Sequence, residues 1–273
     1  MAKIKHKIII ASGKGGVGKS TVSVNLARAL QMKGLRVGIL DADITGPDIP
    51  KLLGIEEARL LQGQEGIEPA KADGIKAASM ALILSSRETP VVWRGPMKMA
   101  AIKQFIQDVN WGDLDFLLID LPPGTSDASL SMAQEAPIAG VVIVSTPQDV
   151  SLEDATKAIS MFDKLKVPVF GVVENMSYFV CPHCGERTDI FGHGGARAAA
   201  EGLGLDFLGE IPLDAQTRAA GDEGVPIIQS QPESLQAEAF MTLAEKVAAR
   251  CSVLGLTEDA GARPGAAAAG GVS

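Results

Sequence analysis

The most informative stretch of the chain is Gly13-Lys14-Gly15-Gly16-Val17-Gly18-Lys19-Ser20-Thr21. It fits the phosphate-loop pattern G-x-x-x-x-G-K-[S/T] and lies between a strand-like apolar run, Lys7–Ala11, and a segment of helical period, Thr21–Lys33. In that context the glycines let successive backbone N–H groups and the helix N-terminus point at phosphates. We therefore predict that Lys19 contacts the β- and γ-phosphates of a nucleotide and that the Ser20 hydroxyl binds Mg²⁺. Outside that context the stretch would be only a glycine-rich turn with an exposed lysine.

A second lysine, Lys14, lies inside this loop at a position where the pattern accepts any residue. Its spacing leaves two interpretations open. The side chain either has a task of its own at the nucleotide or is simply solvated.

Carboxylates follow two further predicted strands. Asp41 and Asp43 come directly after Arg36–Leu40, and Asp120 follows Asp115–Ile119. Because the carboxyl ends of parallel strands lie beside the phosphate loop, these side chains can hold Mg²⁺ or orient the attacking water. Turn formation or helix capping is the alternative role of each aspartate.

The nucleotide type is indicated by what surrounds these aspartates. A stiff segment, Pro122-Pro123-Gly124, follows Asp120, and we interpret it as a switch whose Gly124 N–H senses the γ-phosphate. The chain contains no N-K-x-D segment, the familiar guanine reader. ATP is therefore favoured over GTP.

The predicted fold class is α/β, a mostly parallel sheet with helices on both faces. Apolar runs without alternation indicate strands that are covered on both sides. The predicted strands are Lys7–Ala11, Arg36–Leu40, Asp115–Ile119, Gly140–Ser145, Val167–Val173 and Phe207–Ile211. Further helices are predicted over Pro96–Val109, Ser151–Lys164 and Pro232–Arg250, with a β-hairpin insertion within Gly54–Thr89. We expect one domain over residues 1–255 and a disordered Ala/Gly-rich tail over 256–273.

Composition excludes several protein classes. Hydrophobic residues make up 46% and charged residues 21% of the 273-residue chain, which excludes disorder over most of its length. No apolar run approaches the ~18 residues that span a membrane. The net charge of −8 argues against a nucleic-acid surface. Three cysteines cannot build a disulfide framework, so we expect a reducing, cytoplasmic location.

A cysteine pair suggests half of a metal site. Cys181-Pro182-His183-Cys184-Gly185 has the spacing of a metal knuckle, within a loop expected near residues 177–192. Across a two-fold axis two pairs supply four thiolates, which suit a [4Fe-4S] cluster or tetrahedral Zn²⁺ equally by count. A dithiol redox pair is a further interpretation. We expect Cys251 to be a buried core residue, His183 to face solvent and His193 to lie in a loop or helix start.

The phosphate loop with its inner Lys14 resembles the deviant Walker A motif of the MinD/ParA/nitrogenase-iron-protein class. Within that class, five motifs in order resemble the Mrp/ApbC family of iron-sulfur cluster carriers, over about residues 5–250. They are Asp41-Ala-Asp-Ile-Thr-Gly-Pro-Asp-Ile-Pro50, Trp93-Arg-Gly-Pro96, Asp120–Asp127, Glu174-Asn-Met-Ser177 and Cys181-Pro-His-Cys184.

The resemblance implies a homodimeric ATPase in which Lys14 crosses to the partner's nucleotide. It implies that Asp43 orients the attacking water and that Asp41 and Asp120 lie near Mg²⁺. It also places three residues near the adenine base. They are Asn175, Pro212 and Asp214.

The function predicted on this basis is a cytoplasmic ATPase that binds a [4Fe-4S] cluster on Cys181 and Cys184 of two subunits and transfers it to apo-proteins. A spatial regulator like ParA or MinD is the alternative, but it needs a basic surface or a basic amphipathic C-terminal helix, and Arg263 is the only cation after Arg250. A P-loop ATPase clamped by zinc, serving small-molecule synthesis, is a third possibility. We expect neither nucleic acid nor membrane as a partner.

Overall fold

The computed structural model describes residues 4–83, 95–125 and 137–261. The described strands are β1 (Ile4–Ser12), β2 (Val37–Asp41), β3 (Leu61–Gly63), β4 (Gly66–Glu68), β5 (Ala70–Ala72), β6 (Ile75–Ser79), β7 (Leu114–Asp120), β8 (Gly140–Ser145), β9 (Val169–Val180), β10 (Arg187–Thr188) and β11 (Phe207–Leu213). The described helices are α1 (Lys19–Met32), α2 (Ile49–Leu52), α3 (Gly95–Asp108), α4 (Asp149–Lys164), α5 (Gly195–Gly202), α6 (Ala215–Glu223), α7 (Ile227–Ser230) and α8 (Leu235–Gly261), with a 3₁₀ turn at Met80–Leu82.

The main sheet is mostly parallel, which confirms the predicted fold class. Its strand order is β10-β9-β8-β1-β7-β2-β6-β5, and β11 also pairs with β9. Among the described strands of this sheet, only the short β5 and β10 are antiparallel to their neighbours. Strand β1 lies between β7 and β8, so the phosphate loop leaves the middle of the sheet.

Both faces of the central strand are buried. Ile8 and Ile10 pack into the cluster that includes α1 and α8, whereas Ile9 packs into the opposite cluster with α3 and α4. All three side chains are fully buried, and each contributes about 2 kcal/mol of burial free energy. This arrangement explains why the apolar run has no alternation.

Strand β9 differs from its prediction. It was expected to end at Val173 but continues to Val180. The polar residues Glu174 and Asn175, which interrupt the apolar run, still pair with Glu210 and Ile211 of β11. Their side chains are buried and hydrogen-bonded, so a polar pair continues a strand that hydrophobicity alone would end.

The last helix differs from its prediction, Pro232–Arg250, at both ends. Pro232 precedes it in a turn, and α8 begins at Leu235, where Ser234 Oγ accepts from the Ala237 N–H (3.1 Å). The helix continues to Gly261, so residues 256–261, predicted as tail, are helical. The rest of the predicted tail, 262–273, lies outside the described residues.

The predicted hairpin insertion holds two hairpins. Strands β3 and β4 form a separate pair, whereas β5 and β6 extend the main sheet beside β2. Residues 84–94 and 126–136 lie outside the described part of the chain, including Trp93, Arg94 and Asp127 of the quoted motifs. Within the described residues, no helix combines the length and apolarity that crossing a membrane requires.

Candidate functional site

The phosphate loop joins β1 to α1, as its pattern predicts. Gly16 and Gly18 have φ angles of 81° and 78°, which glycine adopts without strain. A Cβ on Gly18 would also lie 2.3 Å from Nδ2 of Asn175, and one on Gly13 would lie 2.1 Å from the backbone of Asp154 in α4. Gly13 and Gly18 are therefore required, because a side chain at either position would overlap with its neighbours.

Lys19 lies at the start of α1 and is buried against Asp120. Its Nζ atom is 2.7 Å from Oδ2 of Asp120, and the Ser20 hydroxyl donates to the same oxygen at 2.7 Å. Ser23, one turn further along α1, donates to Oδ1 at 2.5 Å. Ser23 was not among the predicted site residues, although its spacing of three from Ser20 places both hydroxyls on one helix face.

Asp41 and Asp120 are direct neighbours across β2 and β7, at the strand ends that were predicted to lie beside the phosphate loop. Asp41 is buried and accepts from the Ser79 hydroxyl (3.1 Å) and the Asp43 N–H (3.1 Å). Burial, and then the negative charge of Asp120, raise the pKa of Asp41 well above its usual value.

This donor set fits Mg²⁺. Two buried carboxylates at adjacent strand ends and the Ser20 hydroxyl are hard oxygen ligands, which Mg²⁺ prefers. Lys19 is the one cation that touches Asp120 among the described residues, and no ion pair of Asp41 is described; a divalent cation bound here would favour the ionised form of both carboxylates.

Replacing Asp41 with asparagine should raise the stability of the nucleotide-free protein at neutral pH. Because its pKa is raised in the folded state, Asp41 binds a proton more tightly there, and its contribution to stability falls as the pH rises above about 3.8. Asp41→Asn should therefore raise the Tm at pH 7 and flatten the decline of Tm between pH 4 and pH 7. Thermal unfolding across that range is the measurement.

Substitution of Asp115 provides a control, because its expected effect on Tm is opposite to that of Asp41→Asn. Hydrogen bonds from Arg36 and then Lys5 hold the pKa of Asp115 well below its usual value. Its stabilising effect is therefore present above about pH 3.8 and lost as the pH falls. Asp115→Asn should lower the Tm at pH 7, and equal shifts for the two variants would contradict the electrostatic origin.

Asp43 borders the cavity from a turn. Its Oδ1 atom accepts from Thr45 N–H (3.2 Å), Thr45 Oγ1 (3.0 Å) and Gly46 N–H (3.2 Å). Asp43 therefore forms a turn, which was the alternative role considered for it. Its side chain is also half-buried beside the cavity. Its orientation of the attacking water stays a prediction.

A cavity of about 530 Å³ lies above the phosphate loop. All eight residues from Lys14 to Thr21 line it, and Lys14 itself is half-buried. Asp43 and Asp48 border a second side, while Thr217, Arg218 and Asp222 of α6 border a third. Gly13 is not part of the lining because it packs against α4.

The three residues predicted near adenine are not among the residues that line this cavity. Asn175 donates through Nδ2 to the Val17 carbonyl (2.8 Å), Pro212 is buried, and Asp214 caps α6 by accepting from Thr217 N–H (3.0 Å). The lining here comes from their neighbours Met176 and Thr217, which sequence analysis did not identify. Contact of the predicted three with adenine stays a prediction.

The predicted switch residue Gly124 has a backbone partner in this conformation, and its sensing of the γ-phosphate stays a prediction. Its N–H donates to the Ser12 carbonyl (2.9 Å) at the end of β1 and does not face the cavity. Gly124 adopts a φ of 81°, which turns the chain back toward β1. Pro123 is the member of this segment that borders the cavity.

Cys181 and Cys184 lie in the turn between β9 and β10. The Cys181 N–H donates to the Glu186 carbonyl and the Gly185 N–H donates to the Cys181 carbonyl, each at 2.9 Å. Cys181 is half-buried and Cys184 exposed. The backbone N–H groups of Cys184 and His183, followed by the Cys184 thiol, lower the pKa of Cys181, which favours the thiolate that binds metals.

The remaining cysteine and histidines lie where predicted. Cys251 is buried in the core, and desolvation raises its pKa to about 12. His183 is exposed, and His193 precedes α5 with Nδ1 2.9 Å from an Arg187 guanidinium nitrogen.

Comparison with known proteins identifies the family. A family model described as ParA, NUBPL iron-transfer P-loop NTPase, matches residues 3–248, which is most of the chain. The chain belongs to this family. The resemblance to the Mrp/ApbC carriers is therefore confirmed, and this member of the iron-transfer P-loop NTPases is an ATPase.

Individual relatives agree. The iron-sulfur cluster carrier protein of Methanocaldococcus jannaschii is 55% identical over 230 residues, covering 84% of this chain and 79% of its own. An Arabidopsis thaliana iron-sulfur protein required for mitochondrial NADH dehydrogenase is 49% identical over 245 residues, covering 89% and 78%. The NTPase family here is thus one of iron-sulfur cluster carriers.

Solved structures match the fold. A nucleotide-binding protein of Archaeoglobus fulgidus, in complex with ADP and with cobalt found, has a TM-score of 0.75 and 43% identity, covering 87% of this chain and 92% of that one. The cell division ATPase MinD of Pyrococcus furiosus has a TM-score of 0.67 and 26% identity, covering 90% and 99%. The iron-transfer NTPase therefore shares the MinD-like P-loop fold.

Proposed function

We propose that this carrier ATPase is a homodimer that holds a [4Fe-4S] cluster as cargo between the Cys181 and Cys184 thiolates of two subunits and passes it to apo iron-sulfur proteins. The observation that carries the proposal is the exposed β-turn that presents both sulfurs, one of them with a lowered pKa, beyond the end of a buried strand. A reducing cytoplasm suits this site, because the pair must stay reduced to bind iron.

The dimer follows from ligand count. One turn offers two sulfurs, and a [4Fe-4S] cluster needs four. Cys251 is buried in the core and cannot join them. A second copy supplies the missing pair, and cluster binding then stabilises the dimer by mass action.

ATP hydrolysis supplies the free energy for a change in the conformation of the dimer. Water attacks the γ-phosphorus, the bond from that phosphorus to the ADP oxygen breaks, and the water proton passes to solvent or phosphate. Lys19 and the loop N–H groups hold the oxygens on which charge develops, while Asp43 orients the water. When bound by Ser20 with Asp41 and Asp120 beside it, Mg²⁺ neutralises phosphate charge.

Cluster transfer needs no redox step. Thiolates of the recipient replace the Cys181 and Cys184 thiolates one by one, and each released thiolate takes up a proton. Anaerobic reconstitution tests the cargo directly: the wild-type dimer should turn brown and contain about four iron and four sulfide per two chains. A colourless dimer that never takes up iron would overturn the proposal.

Lys14 should act on the partner subunit's nucleotide. It lines the cavity, and no ion pair of Lys14 occurs among the described contacts. The Lys14→Ala homodimer should therefore lose ATPase activity by about a hundredfold, as expected when one charge-stabilising group is removed.

A mixed dimer separates action in trans from action in cis. One Lys14→Ala chain and one Lys19→Ala chain, purified through two different tags, should have about half of the wild-type activity. The Lys19→Ala chain still donates its Lys14 to the partner that keeps Lys19. If Lys14 served its own subunit, this mixed dimer would be inactive in both sites.

A further inference from the structure

The stem of the cysteine hairpin is short. Strand β10 has two residues, which pair with Phe179 and Val180 at the end of β9. Two-stranded hairpins are marginally stable in water, and a two-residue ladder adds few backbone hydrogen bonds. Side-chain contacts must therefore hold the turn that carries Cys181 and Cys184.

Arg187 makes these contacts. Its guanidinium carbon lies 3.8 Å from the centre of the Tyr178 ring, a cation–π distance. Its nitrogens lie 2.9 Å from Nδ1 of His193, 3.1 Å from Oδ1 of Asp189 and 3.6 Å from Oε2 of Glu210. One side chain on β10 thus ties the hairpin to β9, to the following loop and to β11.

The side chains of Glu174, His193 and Glu210 near Arg187 resemble a cation site, but arginines already neutralise the charge of Glu210. Ligand atoms of Glu174, His193 and Glu210 lie within 4.8 Å of one another. Arg187 and Arg197 each lie 3.6 Å from a carboxylate oxygen of Glu210, so the charge of Glu210 is already paired. Glu174, in turn, accepts hydrogen bonds from Ser177 Oγ (2.6 Å) and Ala196 N–H (2.8 Å).

We infer that Arg187 is a positioning residue that holds the hairpin in the conformation in which Cys181 and Cys184 bind the cluster. This inference rests on the proposed function. The planar fork of arginine suits this task because it reaches three acceptors while its face covers the tyrosine ring. Without it the short ladder opens more often, and each opening exposes cluster ligands to competitors.

The test compares Arg187→Ala with Arg187→Lys and with Arg197→Ala. Arg197 is the matched control because it also contacts Glu210 and lies over an aromatic ring, Phe207, but stands on α5 outside the hairpin. Iron loss from the reconstituted dimer to a chelator should be about tenfold faster for Arg187→Ala, as expected for losing a few weak contacts. It should be intermediate for Arg187→Lys and within about twofold of wild type for Arg197→Ala.

A second measurement needs no cluster. Hydrogen exchange of the Cys181 and Gly185 amides, both bonded across the turn, should be faster in apo Arg187→Ala, with ATPase activity unchanged. Near-ultraviolet circular dichroism of Tyr178, the one tyrosine in the chain, should weaken.

The outcomes distinguish the two proposals. If the wild type takes up no cluster, the carrier proposal fails, and the amide exchange alone decides whether Arg187 holds the turn. If the wild type takes up a cluster while Arg187→Ala retains it and keeps slow exchange, the role of Arg187 is overturned. Equal effects of Arg197→Ala would also overturn it, since they would reflect the sheet edge in general.

Discussion

Replacing Lys19 with alanine is expected to lower ATP turnover by at least about a hundredfold. Lys19 is the buried cation of the phosphate loop, and its Nζ atom is 2.7 Å from Asp120 beside the Ser20 hydroxyl. Removal of one preorganised group that stabilises transition-state charge costs about 10²–10³ in rate. Steady-state phosphate release at saturating ATP measures the effect.

Two companion variants keep this result interpretable. Lys19→Ala leaves the buried Asp120 carboxylate with only serine hydroxyls, so its Tm should fall, because breaking a buried pair costs about 3–5 kcal/mol. Lys19→Gln retains a donor to Asp120 and should lose as much turnover with a smaller loss of Tm. Lys33→Ala removes an exposed lysine that pairs with Glu245 and should leave turnover unchanged. Normal turnover in folded Lys19→Gln would contradict the assignment.

Single substitution of either hairpin cysteine is expected to abolish stable cluster binding. The dimer of Cys181→Ala or Cys184→Ala keeps only two sulfurs, and two thiolates cannot close a four-iron site. Iron and sulfide should fall below about a tenth of wild type, and the reconstituted sample should sediment mainly as a monomer because the cluster no longer links two chains. ATP hydrolysis should survive in part at chain concentrations high enough to restore the dimer, since the loop around Lys19 is separate from the turn.

Cys251→Ala is the matched control. Cys251 is buried in the core with its pKa raised to about 12, so it should affect neither iron content nor sedimentation. Retention of normal iron by both hairpin variants would refute the four-thiolate site. If the dimer instead holds one colourless zinc that iron and sulfide never displace, the four-sulfur geometry stands and the zinc-clamped ATPase replaces the carrier.

The phosphate site could be predicted because its signal is local. Nine consecutive residues specify the turn, the glycine conformations and the donors, and apolar runs such as Ile8-Ile9-Ile10 specify a strand covered on both faces. Because parallel strands align their carboxyl ends, Asp120 lies beside Lys19 and Ser20 of the phosphate loop, as expected.

Predictions that depended on long-range partners were less complete. Strand β9 continues through Glu174 because β11, more than thirty residues later, pairs with it. Gly124 turns toward Ser12 rather than the cavity because the end of β1 offers a carbonyl there. No periodicity in the chain could have indicated either contact.

The chain's local patterns therefore determine a parallel P-loop fold, the phosphate donors and the spacing of a thiolate pair, because each depends on residues within a few positions of one another. Long-range packing alone decided which partners stand beside the carboxylates: Ser23 on Asp120, Ser79 on Asp41, and Arg187 with Arg197 on Glu210. These pairings join elements that meet only when the sheet assembles, and a buried polar group is stable only beside such a partner.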